Sequence, residues 1–327
     1  SLIMGMQNTL TLNEKLDFYL MMTEKNSQYK GKFRTNELMS RHTSWRVGGP
    51  ADQLYIPYDY EDLRNFLTQL EKSESLTWIG LGSNLLVRDG GIRGTVIATK
   101  NMDEKIEKLS STNIFSGAGI SCAQLAKASV KFGLSGAEFL IGIPGTIGGA
   151  LAMNAGAFGL ETWDVIESVT TINRDGIAVK RVKDEFVIGY RSVKIPDGEW
   201  FVSANLKLLQ DTVGNGKEII KDLLSQRSES QPIGEASCGS VFKNPEIGDP
   251  AAKLIDDCGL KGFSVGGAAV STKHANFIIN EGNATAENIE SLINQVQMKV
   301  LEKFSIKLIP EVRIVGVRQN LGADFNA

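Results

Sequence analysis

Histidine is almost absent from this sequence. His42 and His274 are the only two in 327 residues, which excludes a His-rich metal site. Cysteine is equally sparse. Cys122, Cys238 and Cys258 form no CxxC pair, and an odd, scattered set fits a reducing compartment, hence a cytoplasmic protein, better than a disulfide scaffold. Together the two scarcities argue against a zinc site, and no metal is expected. Charge of one sign is also missing. A formal net charge of −3 gives no broad attraction to nucleic acid or to an anionic membrane, although local basic groups could still grip a small anion. The N-terminus carries no basic stretch followed by an apolar run, so no signal peptide is expected, and Ser1–Ile3 reads as an expression remnant.

One stretch is long and uncharged enough to span a bilayer. Residues 139–160 contain no acid or base, and Gly145 to Gly149 even spells GxxxG. Pro144, Asn154 and repeated glycines argue against a membrane helix there. What remains to explain is why so much backbone is left bare.

With 42% hydrophobic and 22% charged residues, the chain can build ordinary cores, and its length calls for two or three domains. A tail with a short helix near Asn13–Met22 is expected over residues 1–30. Leu54–Pro57 then reads as a strand. Asp59 can cap a helix whose apolar stripe is Leu63, Phe66, Leu67 and Leu70. Thr77–Leu81 and Thr95–Ala98 read as buried strands, and Ser121 with Gln124 as a capping box for a helix stopping at Gly133. Asp175-Gly176 signals a hairpin, and a strand follows from Trp200 to Leu208. The polar, glycine-containing break at 211–216 is the expected domain boundary, with a helix beyond it near Lys217–Ser228. Asp249-Pro250 starts another helix ending at Gly259. Thr285 can cap a long helix with the stripe Ile289, Leu292, Ile293, Val296, Val300, Leu301 and Phe304, and a closing strand is expected over Ile306–Val317. The layout is α+β in two parts.

Three glycine clusters stand out. Gly80-Leu81-Gly82-Ser83-Asn84-Leu85 follows a strand and could turn consecutive N–H groups toward a phosphate. Leu85 stands where a dinucleotide fingerprint needs glycine, and no Lys-Ser/Thr pair makes it a Walker loop. Gly142-Ile143-Pro144-Gly145-Thr146-Ile147-Gly148-Gly149 leads on to Ala155 and Gly156, and Arg46-Val47-Gly48-Gly49 lies upstream. Three such loops suit a long ligand with a pyrophosphate and a flat ring; the alternative is a small-residue packing interface. Elsewhere, Gly239-Ser240-Val241-Phe242-Lys243-Asn244 sets a hydroxyl beside a base, Tyr190-Arg191 follows a hairpin region, and Glu311 is a lone carboxylate in an apolar strand. Each alone is explained as well by a turn serine, a surface arginine or an edge glutamate.

In combination they form a pattern. Residues 42–52, Gly80–Asn84, the run Gly142–Gly159, Gly189–Arg191, Arg227 with Gln231-Pro232, Gly239–Pro245, Ser271–Phe277 and Pro310–Val312 occur in an order that closely resembles the UDP-N-acetylenolpyruvoylglucosamine reductase (MurB) family. The resemblance covers residues 31–317. It implies an FAD-binding domain of the PCMH/vanillyl-alcohol-oxidase type over 31–212, built of two α/β subdomains. A C-terminal α+β substrate-binding domain over 213–318 and a tail over 319–327 follow. Only Ser192–Glu199 separates Arg191 from the next strand, as in the family's short form.

The implied activity is reduction of UDP-N-acetylglucosamine enolpyruvate to UDP-N-acetylmuramate for peptidoglycan. NADPH is the reductant and non-covalent FAD the carrier, and no obligatory protein partner is implied. The catalytic positions carried over are Arg191, Ser240 and Glu311. Arg191 and Glu311 would stabilise an enolate, for which Glu311 should hold or share a proton, and Ser240 would protonate the remaining carbon. The flavin contacts expected are Arg46, Gly48 and Gly49, then Gly80, Gly82, Ser83, Asn84 and Leu85. Gly142, Pro144, Gly145, Thr146, Gly148, Gly149, Ala155 and Gly156 complete that set. Tyr190, Arg227, Lys243, Asn244 and His274 are expected at the sugar nucleotide; for His274 a packing role is the alternative. Another flavin oxidoreductase on the same scaffold, or a silent nucleotide-binding module, would not need the Arg191, Ser240 and Glu311 set.

Overall fold

The computed structural model describes residues 29–100, 102 and 105–319. The expected N-terminal helix near Asn13–Met22 and almost all of the C-terminal tail lie outside them.

The first layer holds β1 (Lys32–Leu38), β2 (Pro50–Ile56), α1 (Tyr60–Gln69), β3 (Leu76–Ile79), β4 (Leu85–Val87) and β5 (Ile92–Ala98). Its sheet runs β1-β2-β5-β3, with β5 parallel to both β2 and β3. α1 begins where Asp59 accepts the Asp62 N–H at 2.8 Å, and it buries Leu63, Phe66 and Leu67 against the sheet. Asp62 itself is buried, receiving the Tyr55 hydroxyl and the Lys30 and Tyr58 amides.

The second layer contains β6 (Ile106–Lys108), β7 (Asn113–Gly117), α2 (Cys122–Lys131), β8 (Leu134–Ser135), α3 (Ile147–Met153), β9 (Gly156–Ala157) and β10 (Leu160–Glu161). β11 (Ile166–Asn173), β12 (Ala178–Val182), β13 (Val187–Gly189), β14 (Ser192–Lys194), β15 (Glu199–Lys207) and β16 (Leu209–Gln210) complete it. The main sheet, β12-β11-β15-β7-β6, is antiparallel. α2 carries the expected capping box, Ser121 with Gln124. The uncharged run 139–160 folds into a short 3₁₀ turn, α3 and the β9–β10 hairpin, and no helix among the described residues is long and apolar enough to cross a membrane.

Beyond the 211–216 break, α4 (Gly216–Ser230) turns back. Ile220 and Leu223 join the core formed by α2, α3 and the second sheet. The third layer follows: β17 (Ala236–Ser237), α5 (Ala251–Asp257), β18 (Ser264–Val265), β19 (Ala268–Val270), β20 (Ile278–Asn280) and α6 (Ala286–Phe304), with the sheet ordered β17-β20-β19-β18. α6 has a Thr285 capping box and buries Ile289, Leu292, Ile293, Val296 and Val300 of its expected stripe; Phe304 is partly buried, and Leu301, one place past Val300, turns to solvent at 46% exposure.

The closing strand is far shorter than 306–317. Only β21 (Arg313–Val315) forms a ladder, parallel to β4, and a lone bridge joins Pro310 to Phe242. Pro310 has no N–H to extend that bridge, and the Glu311 carbonyl is taken by the Asn84 side chain at 3.0 Å. Trp45 locks the layers together: fully buried in the third core, it donates from Nε1 to Ile278 O at 2.7 Å, while Asn280 Nδ2 reaches Trp45 O at 2.8 Å.

Candidate active site

A cavity of about 840 Å³ opens where the three layers meet. Four arginines, Arg46, Arg191, Arg227 and Arg313, line it against two glutamates, Glu235 and Glu311. A cationic cleft on a net-negative chain suits an anionic ligand, with its low-dielectric walls strengthening the attraction.

One wall is made by two glycine loops pressed together. Ser83 Oγ donates to Pro144 O at 2.6 Å, and a Cβ on Gly80 would lie 2.3 Å from Thr146 Oγ1. Gly82 is the position that tolerates no side chain: its φ is +70°, and a Cβ there would sit 1.9 Å from His42 O. The backbone N–H groups of Gly82, Ser83 and Asn84 find no acceptor among the described residues. Trp78 belongs to the same lining; it stacks on Trp200, which does not, and its indole N–H is buried with no partner among the described residues. Bare amides beside a flat aromatic wall fit a ligand that carries both phosphates and a ring.

The structure places the expected flavin contacts unevenly. Arg46, Gly80, Gly82, Ser83, Asn84, Leu85, Gly142, Pro144, Gly145, Thr146, Gly149, Ala155 and Gly156 line the cavity. Gly48, Gly49 and Gly148 do not. A Cβ on Gly49 would meet Asp89 O at 2.0 Å, on Gly48 Val87 Cβ at 2.8 Å, and on Gly148 Ala118 Cβ at 3.0 Å, so these three serve close backbone packing.

The same lining brings Arg191, Ser240 and Glu311 together. Tyr190 and Arg191 form the turn between β13 and β14, and Arg191 adopts a left-handed φ of 50°. Arg191 Nε lies 3.2 Å from Glu311 Oε1. Ser240 is held near them by the backbone: Glu311 N–H donates to Val241 O at 2.7 Å, next along the chain. The 240–242 segment is in turn clamped by Asn276. Val241 N–H donates to Asn276 O, Asn276 Oδ1 accepts from Phe242 N–H at 3.0 Å, and Asn276 Nδ2 donates to Phe242 O at 2.8 Å. Burial pushes the Glu311 carboxyl above its ordinary range, outweighing the attraction of Arg191 and Lys243. The carboxyl and the guanidinium thus sit side by side, with burial working against ionisation of the acid.

Of the residues expected at the sugar nucleotide, Tyr190, Arg227 and Asn244 line the cavity, whereas Lys243 and His274 do not. Tyr190 lays its ring 4.9 Å from the Arg191 guanidinium carbon. Arg227 donates to Gln231 at 3.1 Å, and burial pulls its pKa down. Asn244 Oδ1 also accepts the Ala251 N–H at 3.1 Å, tying down the start of α5. Lys243 acts on Glu311 through its charge. His274 packs edge-on against Phe277 and accepts the Asn276 N–H, and burial lowers its pKa.

Sequence reasoning passed over several residues. Trp78, Phe158 and Arg313 line the cavity, and Asn154, Glu161 and Asn276 hold its walls. Arg313 had a readable signal, standing two places from Glu311 and so sharing its side of an extended segment.

The chain's kinship agrees with this geometry. A family model described as "FAD binding domain" matches residues 51–181, which contain both glycine loops of the cavity wall. The class is therefore that of an FAD-binding protein. A second model, "UDP-N-acetylenolpyruvoylglucosamine reductase, C-terminal domain", matches residues 231–315. The UDP-N-acetylenolpyruvoylglucosamine reductase of Methylococcus capsulatus is 54% identical over 290 residues, covering 89% of this chain and 95% of that protein. The enzyme of the same name from Coxiella burnetii is 47% identical over 315 residues, covering 90% and 99%. The crystal structure of the Thermus caldophilus reductase (MurB) superposes with a TM-score of 0.73 at 32% identity, covering 87% of this chain and 98% of that one. The chain belongs to the UDP-N-acetylenolpyruvoylglucosamine reductase family.

Proposed function

We propose that this chain is an FAD-containing, NADPH-dependent oxidoreductase that reduces UDP-N-acetylglucosamine enolpyruvate to UDP-N-acetylmuramate in the synthesis of peptidoglycan precursors. The observation that carries the reading is the Arg191–Glu311 pair, 3.2 Å apart in one cavity with Ser240 and two bare glycine loops. The loops Gly80–Leu85 and Gly142–Gly149, with Arg46, Ala155 and Gly156, hold the flavin without a covalent bond; no histidine stands in either loop. When bound there, FAD would supply the hydride-carrying chemistry between NADPH and the enolpyruvyl group. Residues 31–212 bind the flavin and 213–318 the substrate, with α4 packed back as the connector. The sugar nucleotide lies against Tyr190, Arg227 and Asn244, with Lys243 acting through its charge and His274 supporting the segment that carries Asn276. The scattered free thiols Cys122, Cys238 and Cys258 support a cytoplasmic location.

The protein's own part follows from where charge develops. Hydride arriving at the terminal vinyl carbon leaves negative charge spread over the neighbouring carbon and the substrate carboxylate. Arg191 meets that charge with a fixed cation, and Glu311, whose carboxyl burial pushes above its ordinary range, meets it with an O–H donor in its protonated form. Ser240 then gives its hydroxyl proton to the carbanionic carbon. Ser240→Ala separates the steps. Stopped-flow absorbance should show NADPH reducing its flavin at a near-normal rate, whereas reoxidation by the enolpyruvyl substrate slows about 10²-fold or more, the scale of a lost general acid. Reoxidation as fast as in the parent would remove Ser240 as the donor.

A further inference from the structure

Arg191 sits on an unusual support. Its backbone lies in a two-residue turn at the tip of a narrow hairpin, with Val187 71% and Tyr190 48% exposed, so the hairpin itself fixes the side chain poorly. The guanidinium is held by the neighbouring segment 154–161 instead. Nη2 donates to Gly156 O at 2.9 Å, and Nη1 faces Asn154 O and Glu161 Oε1, each at 3.3 Å. A Cβ on Gly156 would come within 2.8 Å of Nη1, so that glycine leaves the space the guanidinium fills.

Glu161 is fixed in its turn. Its Oε2 accepts Asn154 Nδ2 at 2.7 Å. Asn154 is 1% exposed and ends α3 in the left-handed conformation, φ 46°. The same amide nitrogen donates to Gly189 O at 3.2 Å, just before the Tyr190–Arg191 turn, and Oδ1 accepts the Trp163 N–H at 3.2 Å. One buried side chain therefore anchors both the carboxylate that grips Arg191 and the turn that carries it.

We propose that Glu161 and Asn154 are positioning residues of the reductase, which clamp the Nη edge of Arg191 so that its Nε edge is presented to Glu311 and to the developing enolate. The inference rests on the role given to Arg191 above. A second carboxylate on the far edge also compensates the arginine charge locally, so the guanidinium need not swing toward Glu311 or the substrate to find a counter-charge. Neither residue has to touch the reacting atoms.

The test is a double-mutant cycle read in single-turnover reoxidation of the reduced holoenzyme by UDP-N-acetylglucosamine enolpyruvate. Glu161→Gln, at a partly exposed site, should slow reoxidation about 10- to 100-fold, the effect of misplacing a reacting group by about 1 Å. Glu161→Asp keeps the charge and should recover part of the loss. Asn154→Gly removes the amide yet allows the left-handed backbone, and should slow the same step. Reduction by NADPH should stay unchanged in all three. In an Arg191→Ala background, Glu161→Gln should add nothing, because it acts only through Arg191. Full-speed reoxidation of Glu161→Gln while Arg191→Ala is slow would overturn the clamp alone, as would equal slowing in both backgrounds. A fast Arg191→Ala would instead sink the catalytic assignment, and the clamp with it.

Discussion

Asn276→Ala removes one side chain that touches no reacting group and should still cost both stability and turnover. Asn276 is 4% exposed and Phe242, its partner, 2%. Its amide closes two hydrogen bonds on one peptide segment, accepting from Phe242 N–H at 3.0 Å and donating to Phe242 O at 2.8 Å. Alanine leaves both backbone groups buried and unpaired, at about 1–3 kcal/mol each. A water entering the vacated space would recover some of this, which puts the expected loss at about 2–5 kcal/mol. The backbone bond from Val241 N–H to Asn276 O survives, so the segment should loosen rather than detach. Because Val241 O receives the Glu311 N–H, the loosening reaches Ser240 and Glu311 together. Urea titration followed by circular dichroism reads the first effect, and single-turnover flavin reoxidation the second. NADPH reduction serves as the comparison, since neither Asn276 nor Phe242 belongs to the proposed flavin loops. A stability loss below about 0.5 kcal/mol, the range of an ordinary surface change, would show that the amide does not hold this segment.

Two further outcomes follow from the site. Gly82→Val places a side chain where φ is +70° and a Cβ would lie 1.9 Å from His42 O. Left-handed strain alone costs about 1–2 kcal/mol, so purified protein should retain less FAD, read from the ratio of flavin to protein absorbance; full occupancy would refute the loop assignment. For Glu311, burial raises the carboxyl pKa against the pull of Arg191 and Lys243. The protonated, donating form is then complete at low pH, and the reoxidation rate should fall as pH rises through the raised value. The sign for folding is the same: the stability this group adds is present below the ordinary carboxylate pKa and is lost as pH climbs through the folded one. In Glu311→Gln that basic limb should vanish from a slower profile; an unchanged limb would assign the titration to another group.

Much of the molecule could be read locally, because the relevant forces act within a few residues. Asp59, Ser121 with Gln124, and Thr285 start their helices as caps, each bonding a backbone amide three places on. The 3.6-residue stripe of α6 marks its buried face, and the glycine clusters mark where backbone lies bare. The order of motifs was enough to indicate the family. Other features depend on residues that are distant in sequence meeting in space. Gly48, Gly49 and Gly148 look like their cavity-lining neighbours in sequence, yet what fills the space beside each is Val87, Asp89 or Ala118, brought there by the chain path. The expected strand over 306–317 shrank to Arg313–Val315 because Pro310 and the Asn84 side chain end the pairing. α4 turned back onto the second core because Ile220 and Leu223 found their apolar partners there. The support of Arg191 is the clearest case. Asn154 and Glu161 precede it by 37 and 30 residues, with only an ordinary hairpin and helix end to show locally. Their joint hold on one guanidinium exists only once the second layer has folded, since hydrogen bonds of about 3 Å require a proximity that sequence spacing does not encode.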